Sequence, residues 1–291
     1  MLELYSSVLI NGLMIGAVYA LIATGLNIIF GVMRVVNFAH GEMVVVGMYL
    51  GYALWKFAGV GPAVSVPIVM LLMFGLGYAF QRAVGNAFVS RPQHVQFVLY
   101  IALALIITGL HAILFGPDPR GIQSAASFAV YRVGPLRIDA TRLHAALAAL
   151  VIMGALWLWL GRSMTGMALK AAADNLTGGK AIGIRIDHVF AVTAGIGMAC
   201  AGAAGALIAP LYDTTPYLAA EFTLTAFIVV IVGGLASLPG ALLGGLLIGV
   251  SEALAAVLFT PSAKSLLSYG LLIAVLLLKP AGLLGERGAA R

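Results

Sequence analysis

The chain has 291 residues, of which 62% are hydrophobic and only 9% are charged, and its mean hydropathy is +1.09. Soluble domains carry a charged fraction nearer a quarter, so this composition excludes an ordinary soluble protein and predicts an all-α polytopic membrane protein. The net charge of +6 is spread over short loops without a basic stripe, which gives nucleic-acid binding no support.

The first apolar run, Val8 to Phe30, is long enough to cross a hydrocarbon core about 30 Å thick. The seven residues before it contain Glu3 and no Lys or Arg, so we expect a retained span rather than a cleaved secretion signal. Apolar runs then recur along the chain, and no soluble domain fits between them. We predict one membrane domain over residues 1–291, with nine spans centred near residues 19, 50, 71, 105, 152, 200, 229, 249 and 271.

A polar stretch, VVNFAHGE, interrupts the apolar pattern after the first span, and the pattern then resumes for only about a dozen residues before Lys56. So short a run crosses the membrane only if part of the polar stretch lies at depth, buried in protein or lining a wet cavity. One interpretation makes Asn37 the cap of the following half-helix, with Glu42 complementing the helix dipole. The other, compatible interpretation assigns to a translocation path or its gate the residues Asn37, His40, Gly41 and Glu42.

The basic residues indicate the orientation. Nine spans place the two termini on opposite sides of the membrane. If the amino terminus is outside, ten of the sixteen Lys and Arg residues lie on the inner side, in agreement with the positive-inside tendency. We therefore predict an outer amino terminus and a cytoplasmic carboxyl terminus.

Two connecting segments are long enough to hold structure. Residues 116–142 contain prolines and alternating apolar residues, which predict a turn with short extended pieces that caps the outer face. Residues 162–187 contain the helix-forming run MALKAAADN, and the helix is expected to end at Gly178 and Gly179. This second segment would lie in the cytoplasm, where a short helix between two spans suits a docking element. An ordinary connecting loop is the alternative.

The seventh and eighth predicted spans show a sequence pattern related to that of the first two. A break at residues 237–240 corresponds to the break at NFAHGE, and Gly240 aligns with Gly41. Glycines four residues apart, as at Gly12 and Gly16, predict flat helix faces for close packing. Glu252 is the one clear carboxylate deep in a span. It is either an ion or proton site on the path or a structural group that hydrogen-bonds through the neighbouring Ser251.

Motifs for bond chemistry are absent from the sequence. There is no HExxH, GxSxG or CxxC and no closely spaced pair of intramembrane carboxylates, so we expect no enzyme activity, metal site or cofactor. The run GGKAIG is not a phosphate loop, because Asp174 and Ala181 stand where Gly and Ser or Thr are needed. The chain is therefore expected not to bind ATP itself.

The run from Ile10 to Leu54, which contains NFAHGE, resembles the amino-terminal signature of branched-chain amino-acid ABC transporter permeases. The runs GMALKAAADNLTGGKAIGIRIDHVF and GGLASLPGALLGGLLIG are similar to that family's coupling loop and carboxyl-terminal spans. The resemblance implies a type II-like import permease in a bacterial inner membrane. It also implies a second homologous permease, two cytoplasmic ATP-binding subunits and a periplasmic substrate-binding protein as partners.

The resemblance also implies roles for particular residues. The path or gate signature falls on NFAHGE, and the ATPase-coupling element falls on residues 166–183, where LTGGKAIGI departs from the Ala-, Met- and Leu-rich run of many relatives. The implied solute is a branched-chain amino acid, and urea and short amides are alternative solutes within the family. Outside the family, the alternative function is that of a stand-alone secondary carrier or channel. The coupling residues that we select are Gly166, Lys170, Ala171, Ala172, Asp174 and Gly183.

Overall fold

The computed structural model describes residues 2–123, 129–134, 136–260 and 263–285. Within these ranges the chain forms twelve α-helices and one two-stranded sheet. A π-helical turn, Gln81–Gly85, joins α3 to α4, and a 3-10 turn, Pro216–Leu218, precedes α10. The helices are α1 (Leu2–Met33), α2 (His40–Ala58), α3 (Pro62–Phe80), α4 (Asn86–Val89), α5 (Gln93–Phe115), α6 (Ala140–Arg162), α7 (Met164–Asp174), α8 (Leu176–Ala181), α9 (Ile186–Ile208), α10 (Ala219–Gly233), α11 (Leu238–Leu258) and α12 (Ala263–Leu278).

Every predicted span centre falls within a helix, but the count of nine spans is not confirmed. Among the described residues, seven helical segments are long and apolar enough to cross a membrane. The other two helices at predicted centres are α2, which carries His40, Glu42 and Lys56, and α12, which has only 16 residues. The seven segments are Tyr5–Met33, Pro62–Val89, Gln93–Phe115, Ala140–Arg162, Ile186–Ile208, Pro216–Gly233 and Leu238–Leu258.

Helix α9 is the centre of the bundle. Its membrane-spanning window is entirely buried, and it contacts α1, α2 and α3. Small residues make this possible, since a Cβ on Gly47 of α2 would lie 2.6 Å from the Cα of Gly202. The low volume of the α9 side chains therefore lets three neighbouring helices approach it closely.

Helices α1 and α11 pack antiparallel along their glycine faces. A Cβ on Gly12 would lie 2.9 Å from the carbonyl oxygen of Gly249, and one on Gly16 would lie 2.6 Å from that of Gly245. These contacts involve backbone atoms, which cannot move aside as a flexible side chain can. The predicted close packing of glycine faces is confirmed at this interface.

The segment before α6 contains a β-hairpin. Strand β1 (Val130–Val133) pairs antiparallel with strand β2 (Leu136–Asp139), and Arg120 forms an isolated antiparallel bridge with Thr214 between α9 and α10. The predicted turn with short extended pieces is confirmed for the described part of residues 116–142. Residues 124–128 and 135 lie outside the described residues.

Candidate functional site

The first polar break returns the chain into the helix bundle. Helix α1 ends at Met33, Arg34 adopts a left-handed φ of 56°, and α2 begins only at His40. The Nε2 atom of His40 donates a hydrogen bond to the carbonyl oxygen of Ile22 at 2.9 Å. Ile22 lies eleven residues before Met33, so α2 begins about 16 Å back along α1. This geometry agrees with the prediction that the polar stretch lies at depth.

Asn37 does not cap α2. Its Oδ1 accepts a hydrogen bond from the N–H of Ala39 at 3.0 Å, which closes a local turn before the helix. Ala39 occupies the cap position of α2 and makes no side-chain cap bond. The predicted cap is therefore wrong, because the chain stays non-helical until it has returned along α1. Glu42 does lie in the first turn, where it complements the helix dipole.

Gly41 brings the start of α2 into backbone contact with α10. Its N–H donates to the Oγ1 of Thr223 at 2.9 Å, and a Cβ on Gly41 would lie 2.6 Å from the backbone nitrogen of Thr223. The same Cβ would overlap the carbonyl oxygen of Ala219. Any side chain at this position would push the two helices apart, so the glycine is required by the close approach.

The titratable groups of the motif are buried and incompletely paired. His40 is 0% exposed and Glu42 is 7% exposed. Among the described residues, Nδ1 of His40 and Oε2 of Glu42 have no hydrogen-bond partner. A buried polar atom without a partner costs about 1–3 kcal/mol. Glu42 therefore offers a carboxylate oxygen that is free to accept a hydrogen bond from a solute or from a group that moves.

The aromatic neighbours of the motif lie toward α5. Phe38 packs edge-on against Phe97 with ring centroids 4.8 Å apart, and Tyr49 stacks on Phe115 with centroids 4.2 Å apart. Residues seven apart lie on the same face of a helix, so Glu42 shares the face of α2 that carries Tyr49. Phe38 and Glu42 therefore lie on the side of the motif nearest α5, whose membrane-spanning window is only 11% buried within this chain, whereas His40 and Gly41 contact α1 and α10.

The second polar break differs in geometry from the first. Helix α10 ends at Gly233 and α11 begins at Leu238, with the hydroxyl of Ser237 accepting from the N–H of Gly240 at 3.0 Å. Gly240 packs against Gly233 of the preceding helix. This break is a turn between two complete helices rather than a re-entry at depth. The proposed correspondence with the first break is therefore limited to the sequence pattern.

Asn27 links this turn to α1. Its Nδ2 donates to the carbonyl oxygen of Ser237 at 2.9 Å, and its Oδ1 accepts from the N–H of Ala236 at 2.9 Å. Ala236 has a left-handed φ of 61°, which is unfavourable for a residue with a side chain. Sequence reasoning missed Asn27 because it lies within an apolar run. The available signal was that an amide within a span needs a partner.

The carboxylate of Glu252 forms hydrogen bonds with α1 and α12. Its Oε2 accepts from the hydroxyl of Tyr19 at 3.0 Å, and its Oε1 accepts from the hydroxyl of Ser268 at 3.1 Å. The predicted partner, Ser251, instead donates to the carbonyl oxygen of Leu247. Glu252 thus joins α1, α11 and α12, which favours the structural interpretation of this residue.

The helix that was expected within residues 162–187 is present as α7. It is capped by Ser163, whose hydroxyl accepts from the N–H of Gly166 at 2.9 Å. A Cβ on Gly166 would lie 2.5 Å from the carbonyl oxygen of Leu160, so the glycine lets α7 fold tightly against the end of α6. Leu169 and Ala172 are each 1% exposed, and α7 contacts α1, α6 and α9. Ala171 is half-buried beside them.

The helix in this segment was predicted to end at Gly178 and Gly179, but it ends earlier. Helix α7 ends at Asp174, and Asn175 starts α8 by accepting at its Oδ1 from the N–H of Gly178 at 2.8 Å. The prediction was wrong because an asparagine cap restarts the helix before the glycines and places both inside α8. The residues that follow end the second helix.

Gly183 terminates α8. It has a left-handed φ of 86°, and its N–H donates to the carbonyl oxygen of Lys180. The N–H of Ile184 donates to the carbonyl oxygen of Gly179, which completes the two bonds of a Schellman motif. The sequence assigned Gly183 to the coupling element, and its position in the turn explains why a glycine is needed there.

The segment combines a polar cavity with exposed apolar side chains. Helix α7 borders a cavity of about 820 Å³ between the end of α1 and the α10–α11 turn, and Lys170 and Asp174 line it together with Arg34. The apolar side chains of Met164, Met167, Leu176 and Ile182 are exposed on α7, on α8 and just after α8. Exposed apolar side chains outside the membrane-spanning segments are candidates for contact with another protein.

Comparison with known proteins identifies relatives over nearly the whole chain. The sequence profile described as "Branched-chain amino acid transport system / permease component" matches residues 8–276. The high-affinity branched-chain amino acid transport system permease protein BraD of Pseudomonas aeruginosa is 30% identical, covering 97% of this chain and 96% of the relative. The corresponding LivH of Escherichia coli is 28% identical, covering 95% and 94%.

More distant similarities exist as well. A probable branched-chain amino acid transport permease protein LivH of Methanocaldococcus jannaschii is 26% identical, covering 91% of this chain and 88% of the relative. The solved structure of PsaBC from Streptococcus pneumoniae in complex with Fab aligns with 93% of this chain and 91% of its own, at 13% identity and a TM-score of 0.47.

Proposed function

Because this chain belongs to the family of branched-chain amino acid transport permease components, we propose that it is a membrane subunit of an ATP-driven importer of leucine, isoleucine and valine. One observation supports this proposal more than any other. A buried polar motif at depth and an exposed helical segment outside the spans both contact the same helix, α1. The chain therefore combines a candidate path with a candidate receiver of mechanical work.

The proposed orientation places the amino terminus and residues 116–142 on the periplasmic side of a bacterial inner membrane. Residues 162–187 and the carboxyl terminus then face the cytoplasm, in agreement with ten of the sixteen basic residues on that side. Two of the ten, Arg287 and Arg291, lie outside the described residues. In this orientation the exposed apolar side chains of α7 and α8 would be within reach of cytoplasmic proteins.

The partners follow from the same proposal. The sequence has no phosphate loop, so hydrolysis of ATP is assigned to two separate cytoplasmic subunits. One of them would contact Met164, Met167, Leu176 and Ile182, which are exposed on the coupling segment. A second permease would complete the path beside α5, and a periplasmic binding protein would deliver the solute.

A displacement of α7 would reach the motif through α1. The buried face of α7 packs against α1, and α1 is bonded to His40 through Ile22 and to the second turn through Asn27. Packed helices transmit such displacements as rigid-body motion. The proposed gate comprises Asn37, His40, Gly41 and Glu42, whose position would change when α1 shifts.

Two charge-neutralising substitutions separate a gate carboxylate from a structural one. We expect Glu42→Gln to lower solute uptake at least tenfold while the thermal midpoint stays unchanged, because Oε2 of Glu42 makes no protein hydrogen bond among the described residues. We expect Glu252→Gln to leave uptake within twofold and to lower stability by about 1 kcal/mol, because an amide has only one acceptor oxygen and the hydroxyl of either Tyr19 or Ser268 therefore loses its acceptor.

Both variants are to be measured in the assembled importer in liposomes, by radiolabelled leucine uptake and thermal unfolding. The reverse pattern, with transport lost only in Glu252→Gln and stability unchanged, would assign the path to α11. Uptake at the wild-type rate in both variants would show that neither carboxylate acts in transport.

Reconstitution tests the proposed division of labour. The purified chain alone is expected neither to hydrolyse ATP nor to accumulate branched-chain amino acids in liposomes. Addition of the second permease, the ATPase subunits and the binding protein is expected to produce ATP-dependent uptake. A control assembly with an ATPase subunit that cannot hydrolyse ATP should bind solute but accumulate none. Coupled uptake by the chain alone would identify a stand-alone carrier and contradict the proposal.

A further inference from the structure

A second cavity, of about 570 Å³, lies where the end of the α3 span meets α8 and the start of α9. It is separate from the motif and from the cavity beside α7. Three cationic side chains line it, those of Arg82, Lys180 and Arg185, together with the single carboxylate of Asp187. The three cationic side chains and the one carboxylate together carry a net charge of +2.

Arg82 is positioned by an unusual helical turn. The π-helical residues Gln81–Gly85 carry it, and π turns of this kind occur frequently at functional sites. The Nε2 of Gln81 donates to Oδ1 of Asn86 at 3.0 Å, and Nδ2 of Asn86 donates to the carbonyl oxygen of Asp187 at 3.1 Å. These bonds tie the π turn to the first turn of α9. Arg82 and Arg185 thus line the same cavity from two helical segments that are hydrogen-bonded to each other.

The start of α9 contributes to the same cavity. This 23-residue helix begins at Ile186 with Arg185 in the cap position, and no side chain caps it. The first N–H groups of a helix and its dipole favour an anion at this end. Asp187 satisfies part of that preference, but the three cations outnumber it. The chemistry of the cavity therefore suits a phosphate group.

The apolar surface beside the cavity indicates what carries that phosphate. Leu71, Gly75, Tyr78 and Arg82 follow one another at spacings of four, three and four, and therefore share one face of the α3 span. Leu71 is 75% exposed, and a Cβ on Gly75 would have no atom of the described residues within 4 Å. The face thus carries exposed apolar surface at Leu71 and the cationic side chain of Arg82 at its end. A free phosphate ion would use only the charged end.

We propose that this cavity binds the phosphate of an anionic phospholipid, with Arg82, Lys180 and Arg185 holding the headgroup and an acyl chain lying along α3. Basic pockets between membrane helices recognise lipid headgroups in this way. Because Lys180 belongs to α8, the lipid would also fix the position of the segment that connects α7 to α9. The site depends only on the membrane location of the chain and not on its solute or partners.

Native mass spectrometry of the purified full-length chain tests the proposal. Wild-type protein in mixed micelles is expected to retain phosphatidylglycerol in preference to phosphatidylcholine. A cation near the membrane surface contributes about fivefold to anionic lipid affinity, so Arg82→Gln with Arg185→Gln should weaken phosphatidylglycerol binding about 30-fold. The matched control, Arg91→Gln with Arg162→Gln, removes two exposed charges outside the cavity and should change nothing.

A charge-retaining pair, Arg82→Lys with Arg185→Lys, distinguishes loss of the site from loss of the fold. It is expected to keep the lipid preference, with helix content by circular dichroism equal to that of the wild type. Equal lipid retention in the Gln pair and its control would overturn the proposal. Displacement of the lipid by millimolar inorganic phosphate would assign the cavity to a free ion. Unchanged lipid binding by the Gln pair, combined with loss of ATPase binding when the ATPase subunits are added, would overturn the proposal and assign the cavity to a protein partner.

Discussion

A Gly16→Leu variant is expected to yield almost no folded, monodisperse protein. A Cβ at this position would lie 2.6 Å from the carbonyl oxygen of Gly245 and 2.9 Å from the Cα of Leu246. Both atoms belong to the backbone of α11, so α1 and α11 must separate along their whole interface. Overpacking by added methylenes alone costs about 1–3 kcal/mol, and separation of the two helices adds the free energy of the packing contacts that are lost. The measurement is size-exclusion chromatography and thermal unfolding after solubilisation.

Gly154→Leu is the matched control. Gly154 also lies inside a membrane-spanning helix, α6, but a Cβ there would meet no atom within 4 Å. The same leucine should therefore be accommodated, with yield and thermal midpoint close to those of the wild type. If both leucines reduce folding equally, the cause is the loss of a glycine as such, and the proposed role of close packing is incorrect.

Ala172→Pro is expected to abolish solute uptake while membrane insertion survives. Ala172 lies in the last turn of α7 and is 1% exposed against the helices that it contacts. Proline removes a backbone hydrogen bond and clashes with the preceding turn, at a cost of about 3 kcal/mol or more. A broken α7 can no longer pass a displacement to α1. Uptake and ATPase activity of the assembled importer measure the effect.

Thr165→Pro is the control for that substitution. Thr165 lies in the first turn of α7, where a proline is tolerated because the N–H groups there have no helical partner. This variant should transport at a rate close to the wild-type rate and insert normally. Wild-type uptake by Ala172→Pro would show that the segment is a passive connection, and equal loss in both variants would show that proline disturbs insertion.

Features that depend on local composition were predictable from the sequence. The helix around each span centre follows from apolar runs, the short extended pieces before α6 follow from prolines and apolar residues among polar ones, and the return of the chain after the first break follows from the shortness of the run after NFAHGE. The close contacts of Gly12 and Gly16 were predictable as well, because only packing explains paired small residues at this spacing.

Features that depend on which helix lies beside which were not predictable. The start of α2 is set by the bond from His40 to Ile22 on another helix, and the partners of Glu252 come from Tyr19 and Ser268 rather than from Ser251. Asn27 acquires its role from residues 209 and 210 positions away in the chain. One sequence contains no direct signal for such distant pairs, so these bonds required the structure.

The glycine face of α1 has a consequence for how the protein is made. Helix α1 is synthesised first, but the face that contains Gly12 and Gly16 is covered by α11, which emerges from the ribosome more than two hundred residues later. During that interval the nascent amino-terminal helix must remain in the bilayer with this face against lipid or a membrane chaperone. Slow translation of the carboxyl-terminal third would prolong the interval and favour misassembly with neighbouring nascent chains.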